Sequence, residues 1–284
     1  MKKIIAVLMA LVLVVGCFAA CGKNDTTKDD GTNKPAAQDD ATTPAENGTI
    51  IVGYTIYEPM NYLDENGNLV GFDTELAKAV FSNLGYKVVF KEIKWENKYT
   101  ELNSGAINCI WNGFTCNTSD DDGVLRSDKV DFSYNYMKNK QVIVAKTDSG
   151  ITSASDLKGK IADAEIGSAG ESYAKDTFPG IIFKGATKQT DCLLSVATGK
   201  AHFAVLDEQL AKSYCGKGDY SNLTIIEALS SEVEFYAIGF KKGSDLTAKV
   251  NAELVKLAAD GTIAALAEKY GVSNTAITDF SDQQ

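Results

Sequence analysis

The sequence predicts an α/β fold, because short β-branched segments alternate with amphipathic helical segments along most of the 284-residue chain. That alternation is typical of a largely parallel sheet covered by helices. The stretch from residue 49 to residue 284 is also long enough for two lobes of ordinary domain size. Its composition is that of a soluble globular protein, with hydrophobic and charged residues in ordinary proportion.

The elements follow one another in a regular order. Residues 50–54 form a β-branched run that predicts a strand, and Asn66-Gly67 is a hairpin turn signal. Apolar residues recur at helical spacing over residues 73–84, and Gly85 ends that helix. The same reasoning predicts strands over residues 87–93, 107–111, 141–145, 160–164, 201–206 and 235–240, and helices over residues 98–103, 154–157, 170–176, 191–198, 245–260 and 262–270.

The first twenty residues read as a signal peptide. Lys2 and Lys3 give a cationic start, and residues 4–15 are almost continuously apolar. A bilayer span needs roughly 20 apolar residues, so this run is too short to be a retained transmembrane helix. We therefore expect residues 1–20 to be removed on export.

Two cysteines follow the apolar run, and each is preceded by small residues as in the targets of lipoprotein signal peptidases. Cys21 is favoured for lipidation over Cys17, because Gly22 and a wholly polar stretch follow it. The other reading is an ordinary secreted protein whose leader contains cysteines. Residues 21–48 then form the lipidated end and a disordered tether that holds the protein at a membrane without spanning it.

Charge and cysteine content exclude several classes of function. Without the leader, 26 basic residues face 38 acidic ones, so nucleic acid is not an expected partner. The cysteines of the folded part form no CxxC pair and have no histidine at metal-ligand spacing, so neither a metal nor a cofactor is predicted. Whether they are free or paired stays open, a Cys192–Cys215 bridge being conceivable; they are Cys109, Cys116, Cys192 and Cys215.

Several short motifs, in one order across more than 200 residues, resemble the polar-amino-acid branch of the bacterial extracellular solute-binding proteins, family 3. They are Tyr57-Glu58-Pro59-Met60, Gly71-Phe72-Asp73-Thr74-Glu75-Leu76, Gly113-Phe114-Thr115, Asp131-Phe132-Ser133, Asp156-Leu157-Lys158-Gly159-Lys160, Gly167-Ser168, Gly239-Phe240-Lys241-Lys242-Gly243, Asp260-Gly261-Thr262 and Lys269-Tyr270-Gly271.

The resemblance implies a type II periplasmic-binding-protein-like clamp of two α/β lobes joined by two hinge strands. Lobe 1 would comprise residues 49–138 and 236–284, and lobe 2 residues 139–235. The implied function is that of an extracytoplasmic receptor, anchored to the cell membrane by lipid. It would capture a free amino acid by hinge closure, serve an ABC permease of the cytoplasmic membrane, and act as a monomer.

Arg126 is the one arginine among 28 basic residues. Its planar guanidinium matches a carboxylate in a way that lysine cannot, and the resemblance places it where the family binds the ligand carboxylate. The preceding loop, residues 118–125, is longer than the family pattern. The alternative is a solvated arginine paired with an acidic residue of that loop: Asp120, Asp121 or Asp122.

Asp207 follows an apolar strand and matches the family residue that receives the ligand's α-ammonium group; the alternative is a helix N-cap. Ser168 and Ala169 open a helix and would direct donors at an anion, a role compatible with simple capping. Asn112, Gly113 and Thr115 would act similarly from lobe 1, with a plain strand-end turn as the alternative.

Tyr57 and Trp95 resemble the family's aromatic walls, whereas Trp111 reads more easily as core. Glu58 is adjacent to Tyr57, and the resemblance places Glu165 where the family often contacts the ligand side chain. If both point inward they favour a polar, and more narrowly a cationic, amino acid.

Two other functions fit the same fold. A dehydratase-like enzyme is disfavoured because the one histidine, His202, is expected inside an apolar strand and no catalytic constellation appears. A sensory ligand-binding protein that reports to a membrane receptor would use the same cleft.

Overall fold

The computed structural model describes residues 47–284. The predicted signal peptide, both candidate lipidated cysteines and nearly all of the predicted tether lie outside the described residues. No helix among residues 47–284 is long and apolar enough to cross a bilayer.

The described chain alternates strands and helices as the sequence predicts. Its strands are β1 (Thr49–Tyr54), β2 (Tyr62–Leu63), β3 (Leu69–Val70), β4 (Lys87–Glu92), β5 (Cys109–Ile110), β6 (Asp131–Phe132), β7 (Met137–Asn139), β8 (Gln141–Lys146), β9 (Ile161–Glu165), β10 (Ile182–Ala186), β11 (Phe203–Asp207), β12 (Leu223–Ile226), β13 (Glu234–Tyr236) and β14 (Gly239–Phe240). Its helices are α1 (Phe72–Asn83), α2 (Lys98–Asn103), α3 (Arg126–Lys129), α4 (Ala169–Thr177), α5 (Gln189–Ala197), α6 (Glu208–Tyr214), α7 (Leu246–Ala259) and α8 (Thr262–Lys269).

Two five-stranded sheets organise these elements. The first has the order β4-β1-β5-β14-β6, with β1 parallel to β4 and β5 and with β14 antiparallel to its neighbours. The second has the order β10-β9-β11-β8-β12, with β9 parallel to β10 and β11 and with β8 antiparallel. Each sheet and the helices packed on it form one lobe: α1, α2, α3, α7 and α8 belong to lobe 1, and α4, α5 and α6 to lobe 2. The α/β fold with two sheet-containing lobes is confirmed.

Two short strands connect the lobes. The chain leaves the first sheet through β7 and returns to it through β13, and these strands pair antiparallel with Glu234 opposite Asn139. Because both crossings lie side by side, rotation of one lobe against the other is concentrated in few residues.

The helix predicted near residues 154–157 is a 3-10 helix, Ala154–Leu157, that begins with a capping box. Two local predictions were wrong. The predicted strand 235–240 is two strands, because the backbone N–H of Ala237 donates to Phe114 and the chain there changes from pairing with β7 to joining the first sheet. His202 is exposed and precedes β11, where its Nδ1 accepts from the N–H of Ile161 at 2.9 Å.

Apolar side chains fill the space between helices and sheets. In lobe 1, Phe81 of α1 packs edge-to-face on Trp111 with ring centroids 5.9 Å apart. Trp111 is fully buried there, as its core reading expects, and burial of a side chain of this kind stabilises by about 1.5–3 kcal/mol. The four cysteines of the described part are free thiols, so the conceivable Cys192–Cys215 bridge is not formed.

Candidate functional site

A cavity lies between the two lobes. Nine of the eleven residues predicted to bind ligand surround it, and sequence reasoning missed one further residue, Gln189. Tyr57 and Glu58 do not line it. The cavity is lined by Trp95, Asn112, Gly113, Thr115, Arg126, Glu165, Ser168, Ala169, Gln189 and Asp207.

Arg126 begins α3 and is 1% exposed. Its Nε donates to Asp120 Oδ1 at 2.8 Å, and its two terminal nitrogens donate to the carbonyls of Thr115 at 3.1 Å and Gly167 at 3.2 Å. These bonds use three of the five N–H donors of a guanidinium. The pairing with Asp120 that the alternative reading expected therefore coexists with a buried place on the cavity wall.

The long loop before Arg126 folds into a small hairpin. The N–H of Asp120 donates to Val124, and that of Gly123 donates back to Asp120. Burial alone would raise the pKa of Asp120, but the charges of Arg126 and Lys98 and its hydrogen bonds lower it to about 2. The loop thus supplies a permanently ionised partner for the arginine.

Asp207 ends β11 at the opposite side of the cavity. Its Oδ1 accepts from the amides of Asn139 at 2.8 Å and Gln141 at 2.5 Å, and its Oδ2 accepts from Gln189 at 2.5 Å. Asp207 does occupy the N-cap position of α6, but its side chain makes no capping bond. Burial raises the pKa of Asp207 although four side-chain donors, Tyr236 among them, counteract the rise.

A second buried carboxylate lies beside Asp207. Glu234, on β13, accepts at Oε1 from Asn139 at 2.6 Å, from Gln141 at 2.7 Å and from Thr115 at 2.9 Å. Burial, and after it the charge of Asp207, raises the pKa of Glu234 to about 7. Sequence reasoning missed this residue; its one signal is an acid within the crossing segment next to two aromatic residues.

Glu165 of lobe 2 and Lys98 of lobe 1 influence each other's pKa. Glu165 is 3% exposed, its Oε1 has no hydrogen-bond partner within the described part of the chain, and burial followed by Asp207 raises its pKa to about 8. Lys98 donates to the carbonyl of Gly167 at 2.9 Å and lies over the Trp95 ring. Burial, and then the charge of Arg126, lowers the pKa of Lys98 to about 7.

The lobe 1 turn at the cavity is fixed by its own contacts. Gly113 has φ 57°, and a Cβ there would lie 2.7 Å from the ring of Tyr57, so only glycine fits. Its N–H donates to Asp73 Oδ2 at 3.0 Å. The Asn112 side-chain amide hydrogen-bonds Thr55 and Asn61. The polar groups of this turn are therefore bonded within lobe 1, and the turn shapes the cavity wall.

Lobe 2 presents the start of α4 to the same space. Ser168 accepts from the N–H of Glu171 at 3.1 Å and thereby caps the helix while it lines the cavity. The first amides of a helix have no intrahelical acceptor, so the N–H groups of Ala169 and Gly170 are suited to an anionic group at this end.

Tyr57 and Glu58 occupy other places. The Tyr57 hydroxyl is 2.7 Å from that of Tyr236, behind the Gly113 turn. Glu58 faces a separate surface groove and hydrogen-bonds Tyr214 of lobe 2, so it does not reach the cavity directly.

The lobes touch on both flanks of the cavity. Lys188 of lobe 2 pairs with Glu92 of lobe 1 at 2.6 Å, and Lys175 of α4 pairs at 2.5 Å with Asp121 at the tip of the long loop. Together with the two donors that reach Gly167, these contacts describe a cleft in its closed arrangement.

Three comparisons with known proteins agree with this geometry. The model of the bacterial extracellular solute-binding proteins, family 3, matches residues 50–273. The arginine-binding extracellular protein ArtP of Bacillus subtilis is 29% identical over 267 residues, which cover 92% of this chain and 96% of that protein. The L-cystine-binding protein TcyA of the same organism is 29% identical over 276 residues, covering 95% of this chain and 97% of that protein.

Among solved structures, an ancestral arginine-binding protein bound to arginine is 33% identical and superposes with a TM-score of 0.70. The match covers 78% of this chain and 98% of that one.

Proposed function

This chain belongs to the bacterial extracellular solute-binding proteins of family 3, and we propose that it captures a polar α-amino acid with a cationic side chain and delivers it to an ABC importer. The family and the similar curated proteins bind solutes and are not enzymes. Family membership also assigns an extracytoplasmic place of action.

The count of charges around the cavity carries the proposal. Of the lining residues, Arg126 is cationic and two, Asp207 and Glu165, are acidic. An α-amino acid brings a carboxylate, which fits the fork of Arg126, and an ammonium group, which fits Asp207. One acidic group then remains, and a cationic side chain would balance it.

Glu165 is suited to that part of the ligand. Its unpartnered Oε1 is buried, so a donor from the ligand would satisfy an otherwise orphaned acceptor. A guanidinium or ammonium group would also stabilise its ionised form. The names of similar proteins, which specify arginine and L-cystine, support an amino-acid ligand and leave the side chain to be measured.

A ligand screen by thermal shift and calorimetry tests the proposal. The twenty amino acids, ornithine and cystine are each added to the purified protein. A ligand at 100 times its Kd stabilises the native state by about 2.7 kcal/mol, and we expect the largest shifts from arginine, lysine and ornithine. If acidic or small apolar amino acids bind best, the cationic side chain is wrong, and if none binds, the function is wrong.

A Glu165→Gln variant tests the side-chain class separately. Loss of the carboxylate is expected to weaken arginine by about 2 kcal/mol, roughly 30-fold, while glutamine binding changes little. Asp163→Asn is the matched control, since Asp163 is a buried acid of the same strand that does not line the cavity. Equal losses for arginine and glutamine in E165Q would contradict the assignment.

The proposal includes anchoring through Cys21, with Cys17 as the alternative. Intact mass and detergent-phase partitioning of the membrane fraction would compare the wild type with Cys21→Ser and Cys17→Ser. Release of only the Cys21→Ser protein from membranes is expected. Release of only the Cys17→Ser protein would move the attachment, and release of neither would remove the anchor.

A further inference from the structure

We propose that Asp207 and Glu234 share one proton in the ligand-free protein, and that an α-ammonium group arriving at Asp207 displaces this proton into solvent. The displacement rests on the proposed function, because an amino acid must bind in the cavity. The shared proton itself does not depend on the ligand.

The carboxylates of Asp207 and Glu234 lie close together because they share two amide donors. The Asn139 amide nitrogen donates to Asp207 at 2.8 Å and to Glu234 at 2.6 Å, and the Gln141 amide nitrogen donates to the same two oxygens at 2.5 and 2.7 Å. Two acceptors that share both NH₂ groups lie within a few ångströms of each other. The two acids therefore form one cluster, on the crossing strands where the lobes join.

In the described part of the chain, no lysine or arginine forms an ion pair with this cluster. Within residues 47–284, neither Asp207 nor Glu234 has a lysine or arginine nitrogen at ion-pair distance. Both are buried, so solvent cannot screen their repulsion. The titratable groups that interact with the cluster are Tyr57, Tyr236, Cys116 and Glu165. Arg126 lines the same cavity, and the charges of Lys98, Lys188 and Asp191 act on Glu165.

Two buried like charges at this separation are not ionised together near neutral pH. Burial raises the pKa of both acids, and the charge of Asp207 adds to the rise at Glu234, whose pKa reaches about 7. The amide donors stabilise carboxylates but bring no net charge. One proton on the pair supplies the missing positive charge until a ligand does.

The proton balance of binding follows. The free pair carries one proton and one negative charge, whereas the bound pair has two ionised carboxylates next to an α-ammonium group, so one proton leaves. Binding is therefore weakened below the pKa of the free pair and reaches its full strength above it. For a pair that titrates near pH 7, Kd is expected to fall about tenfold between pH 6 and pH 8.

Calorimetry in buffers of different ionisation enthalpy measures the proton directly. With L-glutamine as the probe, we expect close to one proton released at pH 6 and a small fraction at pH 8. L-arginine and L-lysine should release more, because their side chains also favour the ionised form of Glu165. In Glu234→Gln the like charge is gone, so the release falls towards zero and the tenfold pH effect disappears. Release that persists in E234Q would overturn the proposal.

Two control variants separate the pair from other groups at the cavity. Glu165→Gln and Lys98→Gln remove the neighbours whose pKa values are also displaced towards neutral. With L-glutamine, each is expected to keep the proton release per bound ligand that E234Q loses. If either one abolishes the release instead, the proton belongs to that residue and the proposal fails.

A titration of the free protein separates this inference from the proposed function. Side-chain carboxyl ¹³C shifts should give Glu234 a midpoint above 6 in the wild type and at least one pH unit lower in Asp207→Asn. An ordinary Glu234 midpoint in the wild type would overturn the shared proton even if amino acids bind. A raised midpoint with no amino acid bound would overturn the displacement together with the proposed function.

Discussion

The two ends of the cavity solve the problem of a buried charge in different ways. Arg126 has a resident counter-ion, Asp120, which the long loop brings to 2.8 Å from it. Asp207 has no cationic partner in the described part of the chain and is held by neutral amides from Asn139, Gln141 and Gln189.

Because of this difference, the Arg126 end and the Asp207 end of the cavity respond differently to a ligand. A compensated arginine keeps its charge and its place in the free protein, so this end is preorganised for a carboxylate. An acid held by neutral donors is left with a deficit of positive charge. That end stays responsive to protons and to the ammonium group of a ligand.

Removing the compensated charge should have the largest effect. Arg126→Met leaves Asp120 with Lys129 as its ion-pair partner and removes the guanidinium donors from Asp120 Oδ1 and the carbonyl of Thr115. It should therefore lower the free energy of unfolding by about 2 kcal/mol. It should also weaken amino-acid binding by at least about 100-fold. Chemical denaturation and calorimetry measure the two effects. Arg126→Lys keeps the charge without the fork, and full recovery by it would show that charge alone suffices.

A substitution at the Asp207 end of the cavity should affect ligand binding without affecting stability in the same way. Asp207→Asn is expected to weaken binding by about 30-fold or more without lowering the stability of the free protein. The raised pKa of Asp207 means that wild-type stability declines as pH rises from the ordinary aspartate pKa towards the folded one. Denaturation experiments between pH 4 and pH 8 should therefore show a smaller fall in the free energy of unfolding for the variant than for the wild type. An equal loss of stability in D207N and R126M would contradict the proposed difference between the two ends of the cavity.

Gln189 tests whether neutral donors matter at the acidic end. It donates to Asp207 and accepts from the Asp207 backbone N–H at 3.0 Å. Gln189→Ala should weaken binding by about tenfold, close to 1.4 kcal/mol, because a buried acid loses a partner. Thr190→Ala, at the next position of α5, is the control for the helix itself. No change in Q189A would assign the holding of Asp207 to the other amides.

The flanking ion pair should have the smallest effect. Lys175 and Asp121 are both about 40% exposed, and such pairs contribute less than about 1 kcal/mol. A double-mutant cycle with Asp121→Asn and Lys175→Gln should find a coupling of this size in binding that fades with added salt. A coupling above about 2 kcal/mol would make the long loop a principal latch of the closed cleft.

The sequence predicted the fold because it depends on local patterns, and it predicted most of the cavity wall through the resemblance to the family. Helix α2 and the hairpin of β2 and β3 follow from apolar spacing and turn residues. Nine lining residues follow from matches to the family's motifs. Strand β10 went unpredicted because lysine and glycine interrupt it, and β12 because it is a run of only 4 residues.

Gln189 and Glu234 could not be predicted in the same way. They come to Asp207 from different elements through the sheet order of lobe 2 and the pairing of β13 with β7. Glu58 is the opposite case, because it was predicted at the cavity and does not line it. Its neighbour Tyr57 lies behind the cavity wall, and Glu58 itself hydrogen-bonds Tyr214 outside the cavity.

The most direct test of the account compares L-arginine with its α-amide in the wild type and in Arg126→Met. Loss of the ligand carboxylate should weaken binding to the wild type by about 100-fold and should cost little further in R126M, because the partner is already gone. Calorimetry at pH 7 gives all four affinities. Equal binding of arginine and its amide by the wild type would contradict the claim that Arg126 and Asp207 hold the two ends of an α-amino acid.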